Sequence, residues 1–138
     1  MLRINLKGTF LCSQAVSRHM TERRSGRIVG LTSGRGVAGQ PRAAHYAAST
    51  AGVFACVKSF ATELAAHDVV VNAVAPGATD SVMARSGSTE KEWTKRWSVP
   101  PLMGGLTTKD ESVGLTRYVF SEPATYITGQ MCFLRTPK

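Results

Sequence analysis

Two apolar, β-branched runs, RIVGLTS at residues 27–33 and VVVNAVA at 69–75, flank a long segment whose apolar positions recur at helical spacing. A strand, a helix and a strand joined by short connections can pair their strands only in parallel, with the helix as the crossover. That arrangement predicts an α/β fold, and in open sheets of this kind ligands collect at the carboxyl ends of the strands. Ser33 stands at the end of the first run and Tyr46 at the start of the helical segment, with twelve residues between them. A hydroxyl and a phenol are therefore expected at the same rim of the sheet.

The remaining elements follow from periodicity and punctuation. Ile4, Phe10, Leu11, Ala15 and Val16 predict a first helix over 4–21, ended by Ser25-Gly26. The crossover helix is expected over 43–66, after a Gly-rich loop over 34–41. Beyond Pro76-Gly77 the chain reads as irregular until Thr89-x-x-Glu92, a capping box opening a short helix with Trp93 and Trp97 on one face, ended by Pro100-Pro101. A second box, Thr108-x-x-Glu111, opens a helix over 110–121, and a last strand is expected over 129–134. The 138 residues suit a single domain spanning 1–138.

Composition narrows the partners. No apolar stretch is long enough to cross a bilayer, and the start of the chain lacks the form of a secretory signal, so no membrane association and a cytoplasmic location are expected. Cys12, Cys56 and Cys132 are scattered, and His19, His45 and His67 show no ligand spacing, so no metal site is assigned. The net charge of +8 could attract nucleic acid, an anionic cofactor or an acidic carrier protein. Because the basic residues are dispersed and no nucleic-acid motif accompanies them, a solvated surface that also meets cofactor phosphates is the preferred reading, with no nucleic acid.

Projected as a helix, the crossover segment has two characters. Val53, Phe54, Val57, Phe60, Ala61 and Leu64 form an arc suited to covering a sheet, while Ala48, Gly52, Ala55 and Ser59 form a strip of small residues that admits a close neighbour. That neighbour is either the first helix or a second subunit. Tyr46 and Ser33 are placed to meet one carbonyl oxygen, where a phenol can donate a proton as hydride arrives at carbon. A free phenol, with a pKa of about 10, needs help to do so near neutrality. Asn5 offers an amide that can hold a water or a backbone carbonyl.

Taken together, Asn5-Leu6-Lys7-Gly8, Gly26-Arg27-Ile28-Val29, Ser33, Tyr46-Ala47-Ala48-Ser49, Asn72-Ala73-Val74-Ala75-Pro76-Gly77 and Tyr126-Ile127-Thr128-Gly129-Gln130 resemble the short-chain dehydrogenase/reductase family, most of all its 3-oxoacyl-carrier-protein reductase branch. The resemblance implies a partial doubly wound, Rossmann-like parallel sheet of three strands, and interconversion of a ketone and an alcohol with NAD or NADP. It casts Tyr46 as proton donor, Ser33 as the group orienting the carbonyl and Asn5 as part of a proton relay. Pro76, Gly77, Ala78 and Ser81 would flank the nicotinamide, and residues 82–102 would form the substrate loop, with Trp93 and Trp97 as its walls. It further implies a small carbonyl or alcohol substrate, with a carrier-bound acyl chain as one form of it, and a homo-oligomer assembled through helices near 5–21 and 43–66.

Two departures from that family pattern stand out. Thr50 occupies the position of the family's lysine, whose charge at about 5 Å and an effective dielectric of about 20 would be worth roughly 3 kcal/mol to the ionised phenol, or about two pKa units. Lys58 is too far along the helix to substitute, at a rise of about 12 Å, whereas Arg35 or Arg42 in the preceding loop is a candidate. The family's phosphate-binding amino-terminal half has no counterpart before Met1, which leaves room for a second reading, a non-catalytic association module built on the helix-pair surface. Gly34-Arg35-Gly36-Val37-Ala38-Gly39 spells a G-x-G-x-x-G phosphate turn, but Pro41 and the lack of an acidic residue at the expected distance favour an active-site loop instead.

Overall fold

All seven residues of the strand β2, Val69–Ala75, are buried, as a β-branched run demands when both faces are covered. A computed structural model describes residues 1–86, 88–98 and 105–134 of the chain. In it β2 pairs in parallel with β1, Gly26–Leu31, and with β3, Met131–Phe133, giving the order β1-β2-β3. The register runs from Gly26 opposite Val69 to Leu31 opposite Val74, and from Ala73 opposite Met131 to Ala75 opposite Phe133. Among the described residues β1 is paired on one edge alone.

Side-chain alternation sends Val69, Val71 and Ala73 to one face of the sheet, where they pack against Val57, Phe60, Ala61 and Leu64 of the crossover helix. That helix is α3, Ala44–Leu64, following α1, Gly8–Glu22, and α2, Arg35–Ala38. Gly30 lets α3 settle onto the backbone of β1: a Cβ there would stand 3.0 Å from Val57 Cγ2 and 3.2 Å from Val53 Cγ1. The apolar arc expected on this helix is thus its sheet-facing side. The strip of small residues is divided. Gly52 is covered by Leu6, whose Cδ2 would lie 2.8 Å from a Cβ at that position, while Ala48, Ala55 and Ser59 remain exposed.

On the other face α6, Lys109–Val119, sits against β2, beside a groove of about 580 Å³ lined by Val29, Leu31, Val113 and Phe120. Both predicted capping boxes are formed, Thr89 opening α5, Glu90–Arg96, and Thr108 opening α6. With helices on both faces of a parallel sheet, the doubly wound plan holds.

The chain differs from the sequence reading in three places. Its first helical run covers the expected 4–21, but the opening turn, Arg3–Lys7, is π-helical and leads into α1 through Gly8, which is itself helical at φ −60°. The Gly-rich loop contains the one-turn helix α2, which has Gly34 as N-cap and no side-chain cap; Ser33 Oγ, just before it, accepts the Arg35 N–H at 3.2 Å. The stretch read as irregular contains α4, Val82–Arg85, capped by Ser81 Oγ accepting the Ala84 N–H at 3.1 Å. Pro100-Pro101 and the end of the expected substrate loop lie outside the described residues.

Asn72 is fully buried in β2 and braces the turn into β3: its Nδ2 donates to the Ile127 carbonyl and its Oδ1 accepts the Gln130 N–H at 3.0 Å. Removing the amide strands both backbone groups. Asn72→Ala is expected to cost about 1–3 kcal/mol, read as a lower urea midpoint, with the amides of β3 losing exchange protection first; an unchanged midpoint would contradict this bracing role.

Candidate active site

The carboxyl ends of β1 and β2 lie side by side, since Leu31 is opposite Val74 and the Thr32 N–H donates to the Val74 carbonyl at 2.9 Å. The buried Thr32 hydroxyl then turns toward α3 and donates to the Thr50 carbonyl at 2.7 Å. This bond fastens the exit of β1 to the helix that carries Tyr46.

Tyr46 is half-buried in the first turn of α3. Its carbonyl accepts the Ser49 hydroxyl at 2.8 Å, and Ser49 Oγ accepts Asn5 Nδ2 at 3.2 Å. A continuous hydrogen-bonded path therefore runs from Asn5, forty-four positions from Ser49 in sequence, to the backbone of the Tyr46 turn. Ser49 is the residue that sequence reasoning left without a role, although it lies inside the quoted Tyr46-Ala47-Ala48-Ser49 motif.

Thr50 is only 4% exposed, and its hydroxyl faces the carbonyls of Tyr46 and Ala47, each at 3.1 Å. It supports the turn that holds Tyr46 and supplies no charge. The α2 turn presses on it from above: a Cβ on Gly36 would lie 2.7 Å from Ala51 N and 3.0 Å from Thr50 Oγ1. Gly36 is thus a packing glycine. The Gly34–Gly39 stretch carries α2, packed on α3 through Gly36.

Pro76, Gly77 and Ala78 leave β2 at the same rim. The Ala78 carbonyl accepts the Thr107 N–H at 2.7 Å, and the Thr79 hydroxyl donates to the Gly77 carbonyl at 3.0 Å. Thr107 is 2% exposed, and its buried hydroxyl has no hydrogen-bond partner among the described residues. Nothing in the sequence pattern marked Thr107.

Ionisable groups add little at this rim. Burial pushes the Cys132 thiol up, away from thiolate character. Hydrogen bonds from Arg85, with the charges of Arg85 and Lys109, hold the Asp80 carboxyl below its ordinary value. Among the described residues no three His, Cys, Asp or Glu side chains stand together as a metal site, and no helix is long and apolar enough to cross a membrane.

Residues 1–134 match the enoyl-(acyl carrier protein) reductase family. The chain is 38% identical to a 3-oxoacyl-[acyl-carrier-protein] reductase of Synechocystis sp., over 94% of this chain and 51% of that protein. It is 42% identical to Nodulation protein G of Azospirillum brasilense, over 94% and 52%. Among solved structures, a short chain dehydrogenase of Bacillus anthracis superposes with a TM-score of 0.85 at 34% identity, over 98% of this chain and 53% of the other. An acetoin dehydrogenase of Enterobacter cloacae does so with a TM-score of 0.81 at 32% identity, over 98% and 52%. The chain spans about half the length of these relatives.

The contact at Gly36 gives a direct check on the site's packing. Gly36→Ala is expected to destabilise by about 1–3 kcal/mol through overpacking. In contrast Gly114→Ala, in the middle of α6 with open space around it, should stabilise by roughly 0.5–1 kcal/mol. Thermal melts of the two variants with opposite signs bear out the geometry; equal shifts contradict it.

Proposed function

The chain belongs to the short-chain dehydrogenase/reductase family, and from that premise we propose that its site interconverts a carbonyl and an alcohol with NAD or NADP. When bound, the nicotinamide would supply or accept the hydride. Tyr46 donates the proton to the carbonyl oxygen or takes it from the alcohol, and Ser33 holds that oxygen in place by a hydrogen bond. Asn5 and Ser49 fix the Tyr46 turn and begin the relay that returns the proton. Pro76, Gly77, Ala78 and Ser81 flank the nicotinamide side, where the Thr107 hydroxyl, without a partner among the described residues, adds a donor.

The observation that carries this reading is the pair of long-range ties, Asn5 through Ser49 to the Tyr46 turn and Thr32 to Thr50, meeting at the rim where β1 and β2 end. They hold together residues that are distant in sequence and have no reason to meet in a surface loop. The family match and the reductase relatives favour this reading over a non-catalytic association module.

Several finer features belong to the same proposal. The substrate is a small ketone or alcohol, with a carrier-bound 3-oxoacyl thioester as the leading candidate from the relatives' printed activity, and the setting is cytoplasmic. A homo-oligomer forms through the helices near 5–21 and 43–66. Supporting this, Ile4 is 78% exposed, Phe10 and Leu11 are exposed nearby, and Ala48, Ala55 and Ser59 offer a smooth strip for a second backbone.

Without a lysine at position 50 the phenol lacks its charged helper, so slow turnover is expected. Titration of the chain with NADH and NADPH should give saturable binding of at least one, and absence of both would remove the oxidoreductase reading. Thr50→Lys should raise turnover by roughly two orders of magnitude if the electrostatic gain of about two pKa units reaches the rate. A folded Thr50→Lys variant with unchanged turnover and affinity would show that the charge is not what this site lacks.

A further inference from the structure

Just past the exit of β2 a single guanidinium joins three segments of chain. Arg85, at the end of α4, donates Nε to Asp80 Oδ1 at 2.6 Å and Nη2 to Asp80 Oδ2 at 2.7 Å. Its Nη1 donates to Glu90 Oε2, at the start of α5, at 2.9 Å. Its face lies over the Trp93 ring, 4.8 Å from the centroid. Trp93 is 6% exposed and meets Trp97 edge-on at 5.8 Å.

Ordinary surface ion pairs contribute little, because water screens them and long side chains lose freedom in forming them. The Arg85 and Asp80 side chains are 43% and 48% exposed, so this pair on its own falls in that class. The whole arrangement does not. Two edges and one face of a rigid planar group are engaged at once, a geometry that an ammonium cannot reproduce. The bidentate edge grips Asp80, which follows directly on the stretch already pinned at Ala78 by Thr107 and at Gly77 by Thr79. Ser81, the next residue, caps α4.

We propose that Arg85 is a positioning residue that locks the nicotinamide-side stretch 76–81 to the Trp93–Trp97 wall, so that the two move as one body. Its consequence for the reaction rests on the oxidoreductase reading; the lock itself does not. Loss of the guanidinium frees α5 from the strand exit while leaving the core between the sheet and α3 untouched.

Trp93 and Trp97 are the two tryptophans of the chain, so intrinsic emission reports on this wall alone. Arg85→Ala should shift the emission to the red and raise acrylamide quenching severalfold, with the far-UV circular dichroism unchanged. Arg85→Lys should fall between Arg85→Ala and the parent, since the charge is kept and the fork and face are lost. A folded Arg85→Ala variant that emits and quenches like the parent overturns the proposal. Should Arg85→Ala fail to fold, Asp80→Asn and Glu90→Gln each remove one edge contact and should each raise quenching by a smaller factor; no change in either overturns it equally. In a parallel titration, Arg85→Ala should weaken NAD(P)H binding severalfold. If the parent binds neither nucleotide the oxidoreductase reading fails while the emission result still decides the lock, and if the parent binds and Arg85→Ala binds equally well, the positioning role is overturned.

Discussion

The site depends on the seam between β1 and α3. Gly30 has no side chain to hold the helix away, so Val53 and Val57 rest on the strand, and one turn further on the Thr32 hydroxyl reaches the Thr50 carbonyl. A parallel β1–β2 ladder by itself would only place two strand ends together. The seam adds the start of the helix to them, and with it Tyr46. The buried Thr32 donor is itself costly to leave unpaired, so the strand exit and the helix are fixed in one relative position.

Around that seam, hydrogen bonds hold the Tyr46 turn in place, and position 50 supplies no charge to it. Asn5, Ser49, Thr32 and Thr50 are all engaged in hydrogen bonds that define the Tyr46 turn. Thr50 is so engaged because it is short: its hydroxyl folds back onto its own helix, where a longer cationic side chain would extend outward. Position 50 thus serves here as a support for the helix backbone. Geometry and charge, which one residue would combine, are here separated.

Much of this was legible in the sequence because it follows from local rules. The β-branched runs gave the parallel strands, the arc from Val53 to Leu64 gave the sheet-facing side of α3, and both Thr-x-x-Glu boxes cap the helices expected of them. Short helices were missed where no capping box announces them. Ser33 and Ser81 each satisfy one N–H with no glutamate three residues on, so α2 and α4 read as loop. Long-range partners were missed for a different reason. Nothing local ties Asn5 to Ser49, Asn72 to the 127–130 turn, or Thr107 to Ala78, because each depends on which strands and loops become neighbours. The G-x-G-x-x-G spelling shows the reverse risk, a local pattern that the sequence reading set aside and whose Gly36 packs against Ala51 and Thr50.

The account stands on Ser33 and Tyr46 sharing the rim of the sheet with a nicotinamide. The most direct measurement is a set of nuclear Overhauser contacts between the nicotinamide ring protons of bound NADPH or NADH and isotope-labelled protein. The account predicts contacts to the Tyr46 ring, to Ser33 Hβ and to Pro76. Saturable binding whose contacts fall on other residues, with none to Tyr46, would contradict it.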